Sequence, residues 1–155
     1  MFDLRGRHLR TVSALTDETL REFTYDADGR LTEVTDHTGV DTELVTEIER
    51  DLDGTPTAVI GPYGHRTELT VDPDGNLESI TDPDGASTTM TSTAGGLITS
   101  VTGPRTAADP DDDTTYTFTY DAAGRLLTST DPLEGVTTLG RSFDGDTAVY
   151  TRIGP

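Results

Sequence analysis

The chain has 155 residues, a mass of 16.6 kDa and a net charge of −18, and all of its 11 basic residues are arginine. Hydrophobic residues make up only 32% of it, which excludes a thick apolar core and leaves disorder or thin repeated elements. An acidic surface disfavours nucleic acid and anionic membranes as partners. No stretch is apolar enough to span a bilayer, and the N-terminus lacks the apolar core of a signal peptide. The absence of cysteine excludes disulfides and thiol chemistry.

A glycine recurs along the chain, and its neighbours keep register with it. The residue six places before it is apolar, and an aspartate usually stands three places before it. Apolar residues follow two and five places after it, and then comes an Asp-Pro or Gly-Pro pair. Each unit therefore predicts a strand, an Asp-x-x-Gly turn, a second strand and a second turn. The recurring glycines are Gly6, Gly29, Gly54, Gly75, Gly96, Gly124 and Gly145.

Each position has a chemical reason. Glycine supplies the positive φ that tight turns need, and the aspartate can accept backbone N–H groups within the turn. Proline lacks an N–H group and marks where strand pairing ends. The apolar residues after the turn are three apart, as from Leu31 to Val34, where a regular strand would have two. This spacing predicts a β-bulge or a strong local twist.

In chain order, the sequence opens within a unit at Phe2-Asp3, and residues 12–23 follow with loosely helical spacing. This stretch predicts either a short helix or the return arm of one hairpin and the start of the next. Regular units follow, and the acidic segment 106–115 predicts a solvated loop inserted between two hairpins. The sequence stops within a unit at Gly154-Pro155. We expect residues 1–155 to form a single array of about seven hairpin units.

Two segments resemble the YD repeat of the Rhs family. Tyr25-Asp26-Ala27-Asp28-Gly29-Arg30-Leu31 and Tyr120-Asp121-Ala122-Ala123-Gly124-Arg125-Leu126 match its pattern of Tyr-Asp, two variable residues and Gly-Arg-Leu. Weaker copies begin at Phe2 and Val71, so the resemblance covers essentially the whole chain. It implies an all-β ribbon of tandem hairpins that curves into the wall of a hollow shell, of which this chain would be a fragment.

The resemblance also implies a function. Related shells in Rhs proteins and toxin-complex subunits enclose a C-terminal toxin domain, and the animal teneurins carry a similar shell at the cell surface. Toxin-type shells end in a self-cleavage motif to which Asp131-Pro132-Leu133-Glu134-Gly135 is similar at a glance. That segment is in register with Asp82-Pro83 and Gly103-Pro104, so we interpret it as an ordinary second turn.

The acidic turns invite a calcium hypothesis, since calcium prefers sets of oxygen ligands. The candidates are residues 26–29, 51–54, 72–75 and 82–85, together with Asp109, Asp111, Asp112 and Asp113. The alternative is that each aspartate closes its own turn, and we favour it. Carboxylates in solvent-facing turns also lack the burial that raises a pKa for general-acid catalysis. We therefore assign no catalytic, cofactor-binding or metal-binding residue.

Other side chains have both structural and functional interpretations. His8, His37 and His65 occupy different places in the unit, so they cannot form one line of ligands, and we expect them to be solvated turn residues. We expect Arg30 and Arg125 to pair with the aspartate of an adjacent turn. The aromatic pairs, whose members alternate on one strand face, predict packing between hairpins or a sugar-stacking platform. These pairs are Phe23 with Tyr25 and Phe118 with Tyr120.

Two functions follow as hypotheses. The first is a non-enzymatic segment of a YD-repeat shell, whose partners are the rest of the parent shell and an enclosed toxin domain. The second is a repeat module that binds a carbohydrate or another surface ligand, with or without calcium. Neither needs a cofactor, and both place the chain in a secreted or cell-surface protein. Because the charges repel one another, we also expect marginal folding at low salt and a gain in stability on adding salt.

Overall fold

The computed structural model describes residues 1–39, 42–104, 114–144 and 147–154, and within these ranges every regular element is a β-strand. The all-β prediction is therefore confirmed. Residues 12–23 contain the end of one strand, a turn and most of the next strand, so the helical alternative is wrong. The strands are β1 (Arg10–Val12), β2 (Thr19–Tyr25), β3 (Leu31–Gly39), β4 (Thr42–Arg50), β5 (Pro56–Ile60), β6 (Arg66–Val71), β7 (Leu77–Thr81), β8 (Ser87–Ser92), β9 (Ile98–Thr102), β10 (Thr115–Tyr120), β11 (Leu126–Thr130), β12 (Val136–Asp144) and β13 (Thr147–Ile153).

The chain divides into two compact units, Met1–Leu69 and Thr70–Pro155. In the first unit each strand from β1 to β5 pairs antiparallel with the strand that follows it, and the last of these pairs is β5 with β6. In the second unit the strands from β7 to β13 pair in the same way. Each unit is thus a meander of hairpins, as the strand-and-turn repeat predicts.

A five-residue turn with one hydrogen-bond pattern joins most of the strands. The N–H of its first residue donates to the carbonyl of the fifth, and the N–H of the fourth donates to the carbonyl of the first. Nine turns in the described ranges share this pattern, and they include both predicted kinds of turn. Asp131–Gly135 is one of them, so its interpretation as an ordinary second turn is confirmed. The others are Asp3–Arg7, Asp26–Arg30, Asp51–Thr55, Gly61–His65, Asp72–Asn76, Asp82–Ala86, Thr93–Leu97 and Asp121–Arg125.

The predicted bulge follows the turn. Thr24 pairs with Glu33, whereas Tyr25 pairs with Leu31, so Thr32 is an extra residue on β3. The same shift occurs where β5 follows β4, where β9 follows β8 and where β11 follows β10. The extra residue stands three places after the turn glycine in every case. The bulge prediction is confirmed, and its regularity explains why the apolar spacing after the turn is three.

The sheet buries little. Among the described residues, Ala58 is the buried hydrophobic residue and Thr35 the buried polar one, with exposed fractions of 0% and 8%. The other strand residues whose burial is described are half-buried or exposed. Each unit is therefore held mainly by backbone ladders and cross-strand contacts, in keeping with the low apolar content.

Part of the predicted repeat array lies outside the described residues. This part includes Gly145 and residues 106–113 of the predicted acidic insertion. On the described side of that insertion, the Thr114 hydroxyl donates to the Gly103 carbonyl (2.7 Å). Thr115 is the first residue of β10 and pairs with Thr102 of β9. The strand thus begins within the segment 106–115.

Candidate functional site

The aspartate that opens a turn is engaged by that turn. In Asp72–Asn76, the Oδ1 atom of Asp72 accepts the N–H groups of Asp74 (2.9 Å) and Asn76 (2.8 Å). Accepting the Asn76 backbone N–H, together with the Asn76 side-chain amide, lowers the pKa of Asp72 from its ordinary value of 3.8. Equivalent Oδ1 contacts occur in the turns that open at Asp3, Asp51, Asp82, Asp121 and Asp131. For the aspartates that open the described turns, the interpretation that each closes its own turn is confirmed.

The arginine that ends a turn pairs with the aspartate that opens it. Arg30 donates through Nε to Asp26 (2.8 Å) and through Nη2 to Asp28 (2.8 Å), both within its own turn. Arg125 pairs with Asp121 in the same way, at 2.6 Å. The prediction that these arginines pair with an adjacent turn is wrong. The reason is local, because the hydrogen bond between the first and fifth residues brings both side chains to one edge of the turn.

The side chain at the fifth turn position reaches the glycine of the next turn on the same edge. A Cβ atom added to Gly54 would overlap the Arg30 guanidinium, and one added to Gly29 would lie 3.1 Å from Nη1 of Arg7. Asn76 approaches Gly96 in the same way, with its Oδ1 at 3.1 Å from the added Cβ. This contact was not predicted from the sequence. The residue that directly follows each turn glycine is the signal that marks it.

The tyrosine of the YD motif ties one hairpin to the hairpin before it. The Tyr25 hydroxyl donates to the His8 carbonyl (2.9 Å), and the Tyr120 hydroxyl donates to the Ile98 carbonyl (2.6 Å). Both acceptors stand two places after a turn glycine. Arg50 occupies the tyrosine position in its unit and donates through Nη2 to the equivalent carbonyl, that of Leu31 (3.3 Å). We call this contact the cross-hairpin tether.

Three of the four side chains in the aromatic pairs have contacts that hold the fold. Phe23 stacks on the ring of His8, with centroids 4.7 Å apart, and Tyr25 lies under the Arg7 guanidinium at 5.0 Å. Tyr120 is tethered through its hydroxyl, as described above. Packing between hairpins is thus the interpretation that the geometry supports for these side chains.

Two of the three histidines lie elsewhere than predicted. His8 is stacked between Phe2 and Phe23, because the isolated bridge from Phe2 to His8 and the neighbouring strand place the three rings in a row. His37 lies in β3 between strands β2 and β4, half-buried near Glu22 (3.9 Å) and Glu43 (3.6 Å). The expectation of solvated turn residues is wrong for both. It is correct for His65, the exposed fifth residue of the turn Gly61–His65.

The geometry of the described residues gives little support to a metal site or to a general acid. In the ranges that the structure describes, no three histidine, aspartate or glutamate side chains converge as a metal site would require. Asp109, Asp111, Asp112 and Asp113 lie outside these ranges. Hydrogen bonds to the backbone and to Arg30 lower the pKa of Asp26, and those to Arg125 lower the pKa of Asp121. A lowered pKa keeps a carboxylate ionised, which is the opposite of what a general acid needs.

In the described part of the chain, no helix is long and apolar enough to cross a membrane. The features that recur along the described residues are the five-residue turns, the bulges and the cross-hairpin tethers.

Comparisons with known proteins identify relatives of this chain. Teneurin-3 of Mus musculus is 34% identical over 146 residues, which is 93% of this chain and 5% of the relative. Teneurin-4 of Mus musculus is 38% identical over 64 residues, 41% of this chain and 2% of the relative. The chain therefore spans only a small share of the curated relatives that it matches.

Solved structures show the same fold. The crystal structure of TcdB2-TccC3-Cdc42 superposes with a TM-score of 0.61 at 16% identity, covering 100% of this chain and 9% of that one. The Photorhabdus luminescens Tc holotoxin pore gives a TM-score of 0.51 at 19% identity, covering 97% of this chain and 10% of that one. The family described as Teneurin YD-shell matches residues 1–154. The chain belongs to the YD-repeat proteins, as a segment of a Teneurin-type YD shell.

Proposed function

We propose that this chain is a non-enzymatic wall segment of a larger YD-repeat shell and that this shell encloses a C-terminal toxin domain. The observation that carries the proposal is that the residues of the repeated motif contact their own turn and the neighbouring hairpins. The opening aspartate closes the turn, the arginine covers the next turn's glycine and the tyrosine tethers neighbouring hairpins. A repeat in which each unit supports only its neighbours is typical of wall material.

The partners in this proposal are the remaining hairpins of the parent shell and an enclosed toxin domain. We also propose that residues 1–155 belong to one continuous array of about seven hairpin units and that the parent protein is secreted or displayed at the cell surface. Enclosure suits an extracellular toxin because a shell keeps its cargo from contact with the producing cell. The small share of its relatives that this chain spans supports a much larger parent.

The first experiment is the mass of the native gene product, by immunoblot of the producing organism with serum raised against this chain. The proposal expects a band several times larger than 16.6 kDa. A band near 16.6 kDa would overturn it, because so few hairpins cannot close a shell. Preincubating the serum with the purified chain is the control, since it must remove the true band.

A second experiment separates a toxin shell from a surface shell. The full-length protein is digested with a protease before and after its shell is opened by denaturant. Enclosure predicts a C-terminal fragment that survives digestion in the native protein and disappears once the shell is opened. A C-terminal region that is digested at once in the native protein would overturn enclosure.

Binding of a carbohydrate or another surface ligand, with or without calcium, is the competing function. It predicts that calcium or a glycan raises the melting temperature of the chain, whereas the wall proposal predicts no shift. A glycan array and a calcium titration followed by circular dichroism make the comparison. A calcium-dependent shift that disappears in a variant of the paired turn aspartates would favour the competing function.

A further inference from the structure

Four of the described turns share the sequence Asp-x-Asp-Gly. In each, the third residue is an exposed aspartate and the fourth is a glycine with φ between +83° and +88°. The four turns are Asp26–Arg30, Asp51–Thr55, Asp72–Asn76 and Asp82–Ala86. An aspartate that precedes glycine can react with its own backbone, because glycine has no side chain to hinder the approach of its nitrogen. The four turns therefore carry the same reactive pair of residues.

The reaction exchanges the main chain with the aspartate side chain. The glycine nitrogen attacks the side-chain carboxyl carbon, a carbon–nitrogen bond forms, and the carboxyl OH group leaves as water with the proton of that nitrogen. Water then opens the cyclic imide, and opening at the main-chain carbonyl leaves isoaspartate, in which the chain runs through the former side chain. Nothing is oxidised or reduced. The product has one more backbone atom, so it no longer fits the hydrogen-bond pattern of the five-residue turn.

The side chains around the reactive aspartate differ between these turns. Asp28 is held in place, because Arg30 donates through Nη2 to its Oδ2 atom (2.8 Å). The carboxyl group must leave this hydrogen bond to reach the Gly29 nitrogen, and a charge-assisted bond opposes that movement. Asp74 and Asp84 lack such a partner, since among the described residues nothing donates a hydrogen bond to either side chain or pairs with it.

The same arginine covers the glycine of the next turn on its edge. A Cβ atom added to Gly54 would overlap the Arg30 guanidinium, so the guanidinium packs against the Cα atom of this glycine. To react with Asp53, the Gly54 nitrogen must give up its hydrogen bond within the turn (3.0 Å) and rotate, and the packed guanidinium opposes this rotation. Within the second unit, no described atom lies within 4 Å of a Cβ added to Gly75 or Gly85.

We propose that Asp74 and Asp84 are sites of isoaspartate formation and that Arg30 protects two other aspartates from the same reaction. It protects Asp28 by holding its carboxylate, and it protects Asp53 by covering the glycine that follows. The four sequences are alike, so the difference in reactivity comes from the neighbours that the fold supplies. This modification is independent of the proposed wall function, because it involves only the chain's own turns and water.

The test follows all four aspartates in the folded chain. The chain is kept at neutral pH below its unfolding transition and then digested, and mass spectrometry with electron-based fragmentation distinguishes isoaspartate from aspartate of equal mass. We expect isoaspartate to accumulate several-fold faster at Asp74 and Asp84 than at the two protected sites. In urea, where the fold is lost, the four rates should become similar. Equal rates at all four sites in the folded chain, or the same order of rates in urea, would overturn the proposal.

Removing the guanidinium tests the protection directly. We expect Arg30→Ala to raise the rate at Asp28 and Asp53 several-fold and to leave the two sites of the second unit unchanged, which also shows that the variant is folded. Arg125→Ala is the matched control, because Arg125 pairs with the aspartate of its own turn, but that turn has alanine at its third position. It should change none of the four rates. Unchanged rates at Asp28 and Asp53 in Arg30→Ala, or an equal rise in Arg125→Ala, would contradict protection by Arg30.

Discussion

At the scale of single residues, the fourth position of the five-residue turn has the strictest requirement. Its φ is positive in every one of these turns, from +76° at Gly124 to +88° at Gly85 among the glycines. Glu134 takes the same conformation with φ of 64° in the turn Asp131–Gly135, where glycine has moved to the fifth position. A side chain is therefore tolerated at this position, at a conformational cost.

Substituting two turn glycines tests whether neighbour contact adds to this cost. Gly54→Ala and Gly64→Ala both force alanine into a positive φ, which costs about 1–2 kcal/mol. Gly54 also lies under the Arg30 guanidinium, whereas nothing lies within 4 Å of an added Cβ at Gly64. We therefore expect Gly54→Ala to lower the free energy of unfolding more than Gly64→Ala, as measured by urea denaturation.

Removing the Arg30 guanidinium provides the control. In an Arg30→Ala background the two alanine substitutions should cost the same, because the contact over Gly54 is gone. Equal costs in the original chain would mean that Arg30 moves aside freely and that φ alone fixes the glycine.

At the scale of elements, the cross-hairpin tether joins two neighbouring strands beyond the end of their backbone ladder, as it does between β9 and β10. Tyrosine and arginine are interchangeable in it because each is long enough to bring a donor to the same carbonyl, as Tyr120 and Arg50 do. The geometry of the acceptor carbonyl is fixed by the turn two residues earlier. The YD motif is therefore one contact built from two consecutive hairpins.

The cross-hairpin tether predicts a measurable loss of stability when one hydroxyl group is removed. Tyr120→Phe removes the donor to the Ile98 carbonyl and should lower the free energy of unfolding by about 0.5–1 kcal/mol, the usual net value of a hydrogen bond. Tyr116→Phe, on the same strand, is the matched control and should cost less. Equal losses in urea denaturation would contradict the importance of the tether.

The turn aspartates predict how stability depends on pH. The pKa of Asp72 is lowered in the folded chain by hydrogen bonds from Asn76, so its ionised form stabilises the fold. That contribution is complete above the ordinary value of 3.8 and is lost as the pH falls below it, through the lowered pKa. We expect Asp72→Asn to flatten the loss of stability below this pH, measured by urea denaturation at a series of pH values.

The neighbouring acid of the same turn is the control. Asp74 donates its backbone N–H to Asp72, and its own side chain is exposed. Asp74→Asn should therefore leave the loss of stability at low pH as steep as in the original chain. The hypothesis fails if both substitutions flatten the profile alike.

At the scale of the whole molecule, repulsion between like charges destabilises a fold that buries little apolar surface. In the first unit the strand register places glutamates directly opposite each other, as with Glu33 and Glu47 in β3 and β4. Like charges opposite each other in a sheet are destabilising, and little buried apolar area offsets them here. The repulsion that lowers the expected stability can thus be assigned to particular pairs of residues in the sheet.

Salt should relieve this repulsion. We expect the urea midpoint of the chain to rise between ~0.01 M and ~0.5 M NaCl, because the Debye length shortens over that range. Glu47→Gln should raise the midpoint at low salt and reduce the gain from salt, whereas Glu78→Gln, an exposed glutamate on β7, should do so less. A full strand signal at low salt that does not change with added salt would contradict this prediction.

The sequence predicted features that depend on residues close together in the chain. The turn glycines, the closing aspartates and the bulge after each turn are set by φ, side-chain length and strand periodicity within a few residues. The partners of Arg30 and the surroundings of His8 and His37 could not be predicted in this way. Those contacts depend on which strand is the neighbour and on which edge of a turn the side chains lie.

The sequence by itself determined that this protein is a YD-repeat ribbon, because each repeat carries its own turn, strand and bulge signals. The tertiary structure alone decided how one repeat holds the next: Arg30 over Gly54, and Tyr25 donating to the His8 carbonyl. It also decided which residues of neighbouring strands lie opposite each other, as Thr128 and Thr138 do in β11 and β12. Strand pairing brings together residues that are distant in the chain, and no local signal records it.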